Sequence, residues 1–419
     1  PPTPPPTPPH SCPGWCRGQV FLAQKFVTLD EATPAATAVA ARGGRIVAVG
    51  EKDEVLAAHP DATVSDLGAV TCVPGFVESH MHPVGVGSNL EDVDVTPDTT
   101  NTMEAVIAAI RRRAEITPEG EWILANGFDN GNMVEADRRP LQASDLDQAA
   151  PNHLVKVVSN SGHITYVNSL VLDKAGITPL TSNPPNGVIV KDRETGAPTG
   201  ELQNASAAIN ALVPRPGPGA ARRHLLLAAK ECQRAGYTSV FDMACAAGET
   251  YKELAALPAS EFPVRVRMYP TSRTPGKSSI PEQPHDFGDD RLKMGGVKCW
   301  SDGSLQGYTG FLSSPYHKVE EAGYDACYCG YAYREQPDLE ELVEDVVKNG
   351  YQMSIHANGD QAINNTIDAY ERALEVTKKS GTDHRLVIQH CQTPREDQLE
   401  RMGKLGIAAS FFANHVWCA

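Results

Sequence analysis

The second half of the sequence alternates short apolar strand segments with amphipathic helical segments, and this alternation constrains the fold more than any other feature. The strand segments are near-continuous apolar runs such as YTSVFDM, PVRVRMYP and YQMSIHA. Strands of this kind are buried on both faces, which is typical of parallel sheets covered by helices. The sequence therefore predicts an α/β fold, either a (β/α)8 barrel or a doubly wound sheet.

Seven strands of such a sheet can be placed. The first is predicted at residues 72–79 and is followed by an insertion of about residues 95–215, which is expected to hold two strands, several helices and a hairpin. The other six strands are predicted at 237–242, 264–269, 293–300, 351–356, 385–390 and 407–412. Because a closed barrel needs eight strands, an eighth is expected beyond Ala419.

The segment before the first strand has a different composition. Residues 18–70 contain two β-like runs that meet at Gly43-Gly44, a hairpin turn signal, and they predict a small antiparallel sheet. The barrel is then expected to occupy residues 71–419. Residues 1–17 are rich in proline and are predicted to form a disordered arm.

Charge and cysteine usage exclude several classes of protein. The formal net charge is −15 and there is no long basic run, which argues against nucleic-acid binding. No apolar run reaches 18 residues, so a membrane span is not expected. The ten cysteines are scattered and several lie in apolar strands, which favours free thiols and a cytoplasmic location. His10, Cys12 and Cys16 form only a weak zinc-binding pattern.

Polar side chains follow the predicted barrel strands at the points where the strands end. These residues are His80 and His82 after strand one, Lys298 in strand four, His356 in strand five, His390 in strand six and His415 after strand seven. A lone histidine at a strand end is more often a structural hydrogen-bonding group than a metal ligand. A buried lysine is costly unless it is paired or neutral. The carboxyl ends of parallel strands meet on one rim, so the set together predicts a metal centre.

The stretch PGFVESHMHP resembles the metal-binding opening of the amidohydrolase superfamily, which has the form PGF-x-D-x-H-x-H. Further segments resemble the YtcJ-like branch, which includes N-substituted formamide deformylases; they are EWILANGFDN, SNSGHITYVNSLVL, GVKCWSDGSLQGYTG, SIHANGDQAINNTIDAYE and RLVIQHCQTP. The resemblance covers about residues 18–419. It implies a TIM-type metal-dependent hydrolase barrel, with residues 18–70 as part of a small β-sandwich. Glu78 stands where the family usually has aspartate.

The resemblance also implies roles for the polar strand ends. His80 and His82 would bind one metal ion, and His356 and His390 would bind a second. Lys298 would carry a carbamate formed with CO2 and bridge the two ions, which would be zinc or else manganese, iron or nickel. The alternative for Lys298 is an ion pair with Asp302 or Glu78. Asp302 itself would either contact the site or cap Gly303-Ser304-Leu305, and the structural role is the favoured one.

The implied activity is hydrolysis of a C–N bond in a small amide, N-formyl amine or N-acyl amine. His163 and His415 would contact the substrate, although ordering a loop is an equal alternative for each. The general base would be an aspartate beyond Ala419. Two other functions stay open at this point: a catalytically silent assembly protein, and a lyase, isomerase or deaminase that uses the same metal site. A homo-oligomer is also plausible.

Overall fold

The computed structural model describes residues 18–160, 162–184, 187–272, 280–317, 319, 324–412 and 415. The predicted arm at 1–17, with its weak zinc pattern, lies outside the described residues. The described chain divides into two compact units, of which the first ends at Phe76 and the second begins at Val77.

The first unit is a five-stranded sheet with one helix. Its strands are β1 (Gln19–Val27), β2 (Ala35–Arg42), β3 (Arg45–Gly50), β4 (Thr63–Asp66) and β5 (Thr71–Cys72), and its helix is α1 (Lys52–Ala58). The β2–β3 hairpin turns at Gly43 and Gly44, whose φ angles of 58° and 75° suit a type I′ turn.

The predicted antiparallel sheet is only partly correct. β1, β2 and β3 are antiparallel, but β4 and β5 both pair with β1 in parallel. The helix α1 separates β3 from β4, and such a crossover allows the chain to return in the same direction. The β-sandwich stays a prediction, because the described residues of this unit form one sheet.

The predicted first barrel strand at 72–79 is wrong as a single element. Residues 71–72 form β5 in the first sheet, and a separate strand, β6 (Phe76–Met81), begins after the break at 73–75. Pro74 lies in the break, where its missing N–H removes a donor from any sheet ladder. His80 consequently lies within β6 and His82 directly after it.

The insertion forms a six-stranded sheet with helices packed on it, whereas the sequence predicted only two strands and a hairpin. The strands are β7 (Val93–Asp94), β8 (Trp122–Phe128), β9 (Leu154–Ser159), β10 (Ile164–Val167), β11 (Val188–Lys191) and β12 (Pro198–Gln203), in the order β11-β12-β10-β9-β8-β7. The helices within the insertion are α3 (Met103–Ala114), α4 (Ala143–Ala149) and α5 (Ser169–Ala175), while α2 (Pro83–Asn89) lies before it.

The sequence predicts one of the helices of the insertion over TYVNSLVLDKAG, and the structure begins that helix later. Its first residues belong to β10, which pairs with β9. The Asn168 side chain accepts a hydrogen bond from the N–H of Val171 and also bonds the backbone of β9, so the helix starts only at Ser169. Asparagine is a strong N-cap, and that signal marks the true boundary.

The remaining strands and helices alternate as predicted. The strands are β13 (Tyr237–Cys245), β14 (Arg265–Pro270), β15 (Leu292–Met294), β16 (Val297–Trp300), β17 (Met353–Ala357), β18 (Val387–His390) and β19 (Ala408–Phe411). The helices are α6 (Ala220–Arg234), α7 (Gly248–Ala255), α8 (Gln336–Lys348), α9 (Asp360–Val376) and α10 (Glu396–Leu405).

These strands form two four-stranded sheets, β15-β14-β13-β6 and β16-β17-β18-β19. A parallel bridge between Thr271 and Lys298 joins them, so strands that are consecutive along the chain are neighbours in space. The pairs β13–β14, β14–β15, β16–β17, β17–β18 and β18–β19 are all parallel. Closure into an eight-stranded barrel stays a prediction. No helix of the described residues is long and apolar enough to cross a membrane.

The predicted strand 293–300 is two strands, because the chain breaks at Gly295 and Gly296. A Cβ atom on Gly295 would lie 2.2 Å from the ring of Tyr269, and one on Gly296 would lie 2.5 Å from the carbonyl oxygen of Gln352. Only glycine permits so close an approach at both positions.

Candidate metal centre and substrate cavity

The structure brings the predicted metal-binding histidines together at the carboxyl ends of the strands. The ring centroid of His390 lies 4.7 Å from that of His80, 4.6 Å from that of His356 and 5.7 Å from that of His415. The His82 ring lies 5.5 Å from the His80 ring. His390 therefore stands at the centre of a group of five imidazoles, which come from β6, β17, β18 and the segments that follow β6 and β19.

His390 has an unusual backbone conformation. Its φ angle is +67°, and that of the following residue, Cys391, is +47°. A residue with a side chain in this left-handed region costs roughly 1–2 kcal/mol, and strain of this kind clusters at functional sites. The Cys391 N–H donates to the carbonyl oxygen of Ala357 at 3.1 Å, which links this turn to β17. The strained turn places the His390 ring between its neighbours.

Lys298 lies next to this group in the interior. Its side chain is fully buried, and its Nζ atom has no hydrogen-bond partner among the described residues. The Nζ atom lies 4.5 Å from the centroid of the Trp300 ring. Neither Asp302 nor Glu78 pairs with it, so the alternative of an ion pair is not present in the structure.

Two hydrogen-bond networks orient the histidines. His80 Nδ1 donates to Gln389 Oε1 at 2.7 Å, while Gln389 Nε2 donates to Ser354 Oγ at 2.7 Å and fixes the amide orientation. His356 Nε2 donates to the carbonyl oxygen of Gly303 at 2.8 Å. When one ring nitrogen of a histidine carries a donated proton, the other has a lone pair for a ligand. The available lone pairs are those of His80 Nε2 and His356 Nδ1.

Burial keeps these imidazoles neutral. Burial, and after it the charge of the nearby Lys298 ammonium, lower the pKa of both His80 and His356 to about 3. The pKa of His390 is lowered still more, by burial and then by the charges of His356 and His80. Burial also lowers the pKa of Lys298 to about 8. The three histidines are thus neutral near pH 7 and can donate an electron pair, whereas Lys298 is only partly deprotonated at that pH.

The donor set fits a divalent metal in its chemistry. Neutral imidazoles are suitable ligands for zinc and other first-row metals. Packing alone does not explain why the amine of Lys298 is buried without a hydrogen-bond partner among the described residues. Within the described residues, no three His, Cys, Asp or Glu side chains are placed to hold one ion together. The histidines of the described residues are therefore gathered, but they do not form a closed coordination shell.

A cavity of about 430 Å³ opens beside His356. It is lined by His163, Ser272, Trp300, Asp302, Gly303, Tyr333, Arg334 and His356. His163 is oriented by a 3.0 Å hydrogen bond between its Nδ1 and Asn204 Oδ1. The structure thus places His163 on the same cavity as a metal-binding candidate, while His415 contacts His390 instead.

Asp302 is fully buried and orders the loops around this cavity. Its carboxylate accepts hydrogen bonds from the backbone N–H groups of Phe311, Asn358 and Gly359 at 2.8 to 2.9 Å. Burial raises its pKa to about 7 despite these donors. The three bonds tie the segment after β16 to the segment after β17, which is the structural role expected from the sequence.

Sequence reasoning missed the residues that hold the histidines in place. Gln389 and Ser354 support His80, and the carbonyl of Gly303 supports His356. Gln389 precedes His390, and Ser354 lies two residues before His356, so both are polar residues inside apolar strands. Polar residues at buried strand positions were the available signal. The thiols behave as predicted, since the seven described cysteines are free.

Comparison with known proteins decides the family. The model of the "Amidohydrolase family" matches residues 63–417, and a bacterial imidazolonepropionase-like composite domain matches residues 38–62. The chain belongs to the amidohydrolase family. Its relatives place it in the YtcJ-like branch of that family.

Two curated relatives and one solved structure show the extent of the similarity. The chain is 29% identical over 399 residues to an N-substituted formamide deformylase of Arthrobacter pascens, covering 91% of this chain and 70% of that protein. It is 27% identical to the putative amidohydrolase YtcJ of Bacillus subtilis (strain 168), covering 83% of this chain and 64% of the relative.

An uncharacterized metal-dependent hydrolase from Pyrococcus furiosus has the same fold. The TM-score is 0.67 with 21% identity, over 96% of this chain and 78% of the other. The chain thus spans about two thirds to four fifths of the lengths of these three proteins. The likeness supports the amidohydrolase-type α/β fold.

Proposed function

We propose that this member of a hydrolase family cleaves a C–N bond of a small amide, N-formyl amine or N-acyl amine with the help of a divalent metal. The observation that carries the proposal is the Nζ atom of Lys298, which is buried without a partner beside neutral histidines. Burying an amine in this way is unfavourable unless a ligand or a covalent modification uses it. Membership of the family and the name of the formamide deformylase relative support the reaction type.

The proposed ligands are His80, His82, Lys298, His356 and His390. They would hold one or two ions of zinc, or of manganese, iron or nickel. When bound, such an ion supplies Lewis-acid activation of water and of the substrate carbonyl. Gln389 and Gly303 would keep the ligand-bearing rings of His80 and His356 in the correct tautomer.

Lys298 is proposed to be carboxylated. With a pKa of about 8, roughly a quarter of the side chain is unprotonated at pH 7.5. The amine nitrogen then attacks CO2, an N–C bond forms, and one proton leaves to solvent. The product is an anionic carbamate, whose two oxygen atoms are better ligands for hard divalent metals than the ammonium they replace.

The substrate is proposed to occupy the cavity beside His356. Trp300 and Tyr333 supply apolar surface for an organic substituent, and His163 is proposed to contact the carbonyl oxygen. His415, whose ring is 5.7 Å from that of His390, is proposed as a second substrate contact. No described residue is assigned as the general base.

Deaminase chemistry is less well supported by the residues after β17. The acidic residue there is Asp360, which is occupied by structural partners. Its carboxylate accepts hydrogen bonds from Ser313 and forms an ion pair with Arg395 at 2.7 Å. It is therefore engaged in joining loops and is not placed as a free acid–base group.

The test is metal content and hydrolysis measured on the 419-residue chain expressed with bicarbonate and zinc or manganese. We expect about two metal ions per chain, release of amine from a panel of N-alkyl and N-aryl formamides and acetamides, and loss of both in Lys298→Ala. Lys293→Ala is the matched control, because Lys293 lines a different cavity. Short carboxylic acids should restore part of the metal binding to Lys298→Ala by filling the vacated space.

Three results would contradict parts of the proposal. A single metal ion that survives Lys298→Ala would remove the carbamate bridge and leave a mononuclear site. Metal binding without hydrolysis of any amide in the panel, by this chain and by a version extended beyond Ala419, would remove the proposed reaction. A folded chain that takes up no metal would overturn the proposal and favour an assembly protein.

A further inference from the structure

A second cavity, of about 470 Å³, lies at the opposite ends of the same strands. Its lining includes Gly295 and Gly296, which precede β16, Gln352, which precedes β17, and Arg385, which precedes β18. The histidines described above lie at the carboxyl ends of these strands. The second cavity is therefore separate from the candidate metal centre, and it has no place in the proposed hydrolysis.

Arg267 points into this cavity from β14. It is in register with Phe241 of β13 and with Lys293 of β15, so these three side chains lie on one face. Its neighbours along the strand, Val266 and Met268, are buried in the hydrophobic cluster on the other face. The Nη1 atom of Arg267 is buried and has no hydrogen-bond partner among the described residues.

The lining is basic and contains no acidic residue among those described. Arg267, Lys293, His285 and Arg385 all contribute to it. Arg385 is partly neutralised by Asp383, at 2.8 Å. Arg267 and Lys293 are left as adjacent like charges, and an arginine cannot relieve the repulsion by losing its proton. Arg267 is half-buried and forms no ion pair among the described residues, so an anion in the cavity would supply the partner that its buried Nη1 atom lacks.

We propose that this cavity binds a small organic anion. Its carboxylate or phosphate group lies against Arg267 and Lys293, because a planar guanidinium matches such groups with paired hydrogen bonds. Its apolar part packs against Phe241 and Tyr269, whose rings are stacked with centroids 5.9 Å apart. The cavity is within the size range of small-molecule pockets and is larger than inorganic phosphate requires.

Thermal unfolding and titration calorimetry of the 419-residue chain test this proposal. The probes are inorganic phosphate, phenyl phosphate and benzoate, each added to anion-poor buffer up to about 10 mM. A ligand that binds only the folded chain raises Tm. We expect phenyl phosphate or benzoate to raise Tm more than inorganic phosphate, and Arg267→Met to weaken that binding at least about tenfold.

Two further variants make the result interpretable. Arg234→Met removes an exposed arginine of α6 that pairs with Glu231, and it should leave binding unchanged. Lys293→Gln changes an exposed lining residue and should weaken binding even if Arg267→Met folds poorly. In anion-poor buffer, Arg267→Met should unfold at the same temperature as the parent or higher, because it removes a half-buried cation whose Nη1 atom has no hydrogen-bond partner among the described residues.

Several outcomes would overturn the proposal. One is a folded parent chain that binds none of the three probes at about 10 mM. Another is binding that neither Arg267→Met nor Lys293→Gln weakens relative to Arg234→Met. Equal binding of inorganic phosphate and phenyl phosphate would overturn the organic part and identify free phosphate as the ligand. A lower Tm for Arg267→Met without anions would show a structural role for the arginine instead.

Discussion

The two ends of the parallel strands carry basic groups of different chemistry. At the carboxyl ends, burial lowers the pKa of Lys298 to about 8 and that of His80 to about 3, so both side chains lose a proton more readily than usual. At the amino ends, Arg267 and Lys293 lie side by side on the face that lines the second cavity. Lysine and histidine become neutral electron-pair donors when they are desolvated, whereas arginine stays a cation. The same sheet can thus offer donors for a metal at one end and charge for an anion at the other.

The most direct test of this difference is to measure metal content and anion affinity in both Lys298→Ala and Arg267→Met. Lys298→Ala should lose more than tenfold in metal content yet bind phenyl phosphate as the parent does. Arg267→Met should lose about tenfold or more in anion affinity yet keep its metal. Elemental analysis and calorimetry on both variants check this. If either variant loses both ligands while folded, the two cavities are one coupled site and the comparison fails.

Loss of the hydrogen bond that orients His80 should have a smaller effect, on metal affinity at the carboxyl ends of the strands. Gln389→Leu removes the hydrogen-bond acceptor that fixes the tautomer of His80. Loss of such a partner typically weakens metal affinity by about 10- to 100-fold, and we expect a loss of that size here. Competition with a chelator measures the affinity. Gln352→Leu, at the second cavity, is the control. Equal metal affinity in Gln389→Leu and the parent would show that the Gln389 side chain has only a packing role.

The strain at His390 predicts the smallest effect, on stability. With metal removed by a chelator, His390→Gly should be more stable than His390→Ala by about 1 kcal/mol, because glycine adopts a positive φ angle without a steric penalty. Denaturant unfolding of the two variants gives the difference. Equal stabilities would mean that the backbone relaxes once the imidazole is gone. Both variants should lose metal binding.

The sequence predicted the order of the parallel strands but not all of their boundaries. Alternating apolar strands and helices located all seven strands, because burial on both faces leaves a continuous apolar run. The breaks at 73–75 and at Gly295-Gly296 were missed. The first arises because β5 pairs with β1 in the first sheet, and the second because the ring of Tyr269 packs against the glycines. Both causes are long-range contacts that no local pattern contains.

The insertion was predicted least well. Only two strands and a hairpin were expected, and the structure has six strands in one sheet. β7 has two residues and β10 has four, which is too short for a reliable periodic signal, and each exists because a neighbouring strand offers hydrogen bonds. Tertiary pairing decided these elements.

For the site, the sequence determined which chemical groups are available at the strand ends: the histidines, Lys298 and the family motif that contains His80 and His82. Residue type at a strand end is local information, and parallel topology gathers such ends on one rim. Only the tertiary structure showed that Lys298 is buried without a partner, that His390 is strained, and that Gln389 orients His80. Each of these depends on packing between segments that are far apart in the chain, as does the basic cavity around Arg267.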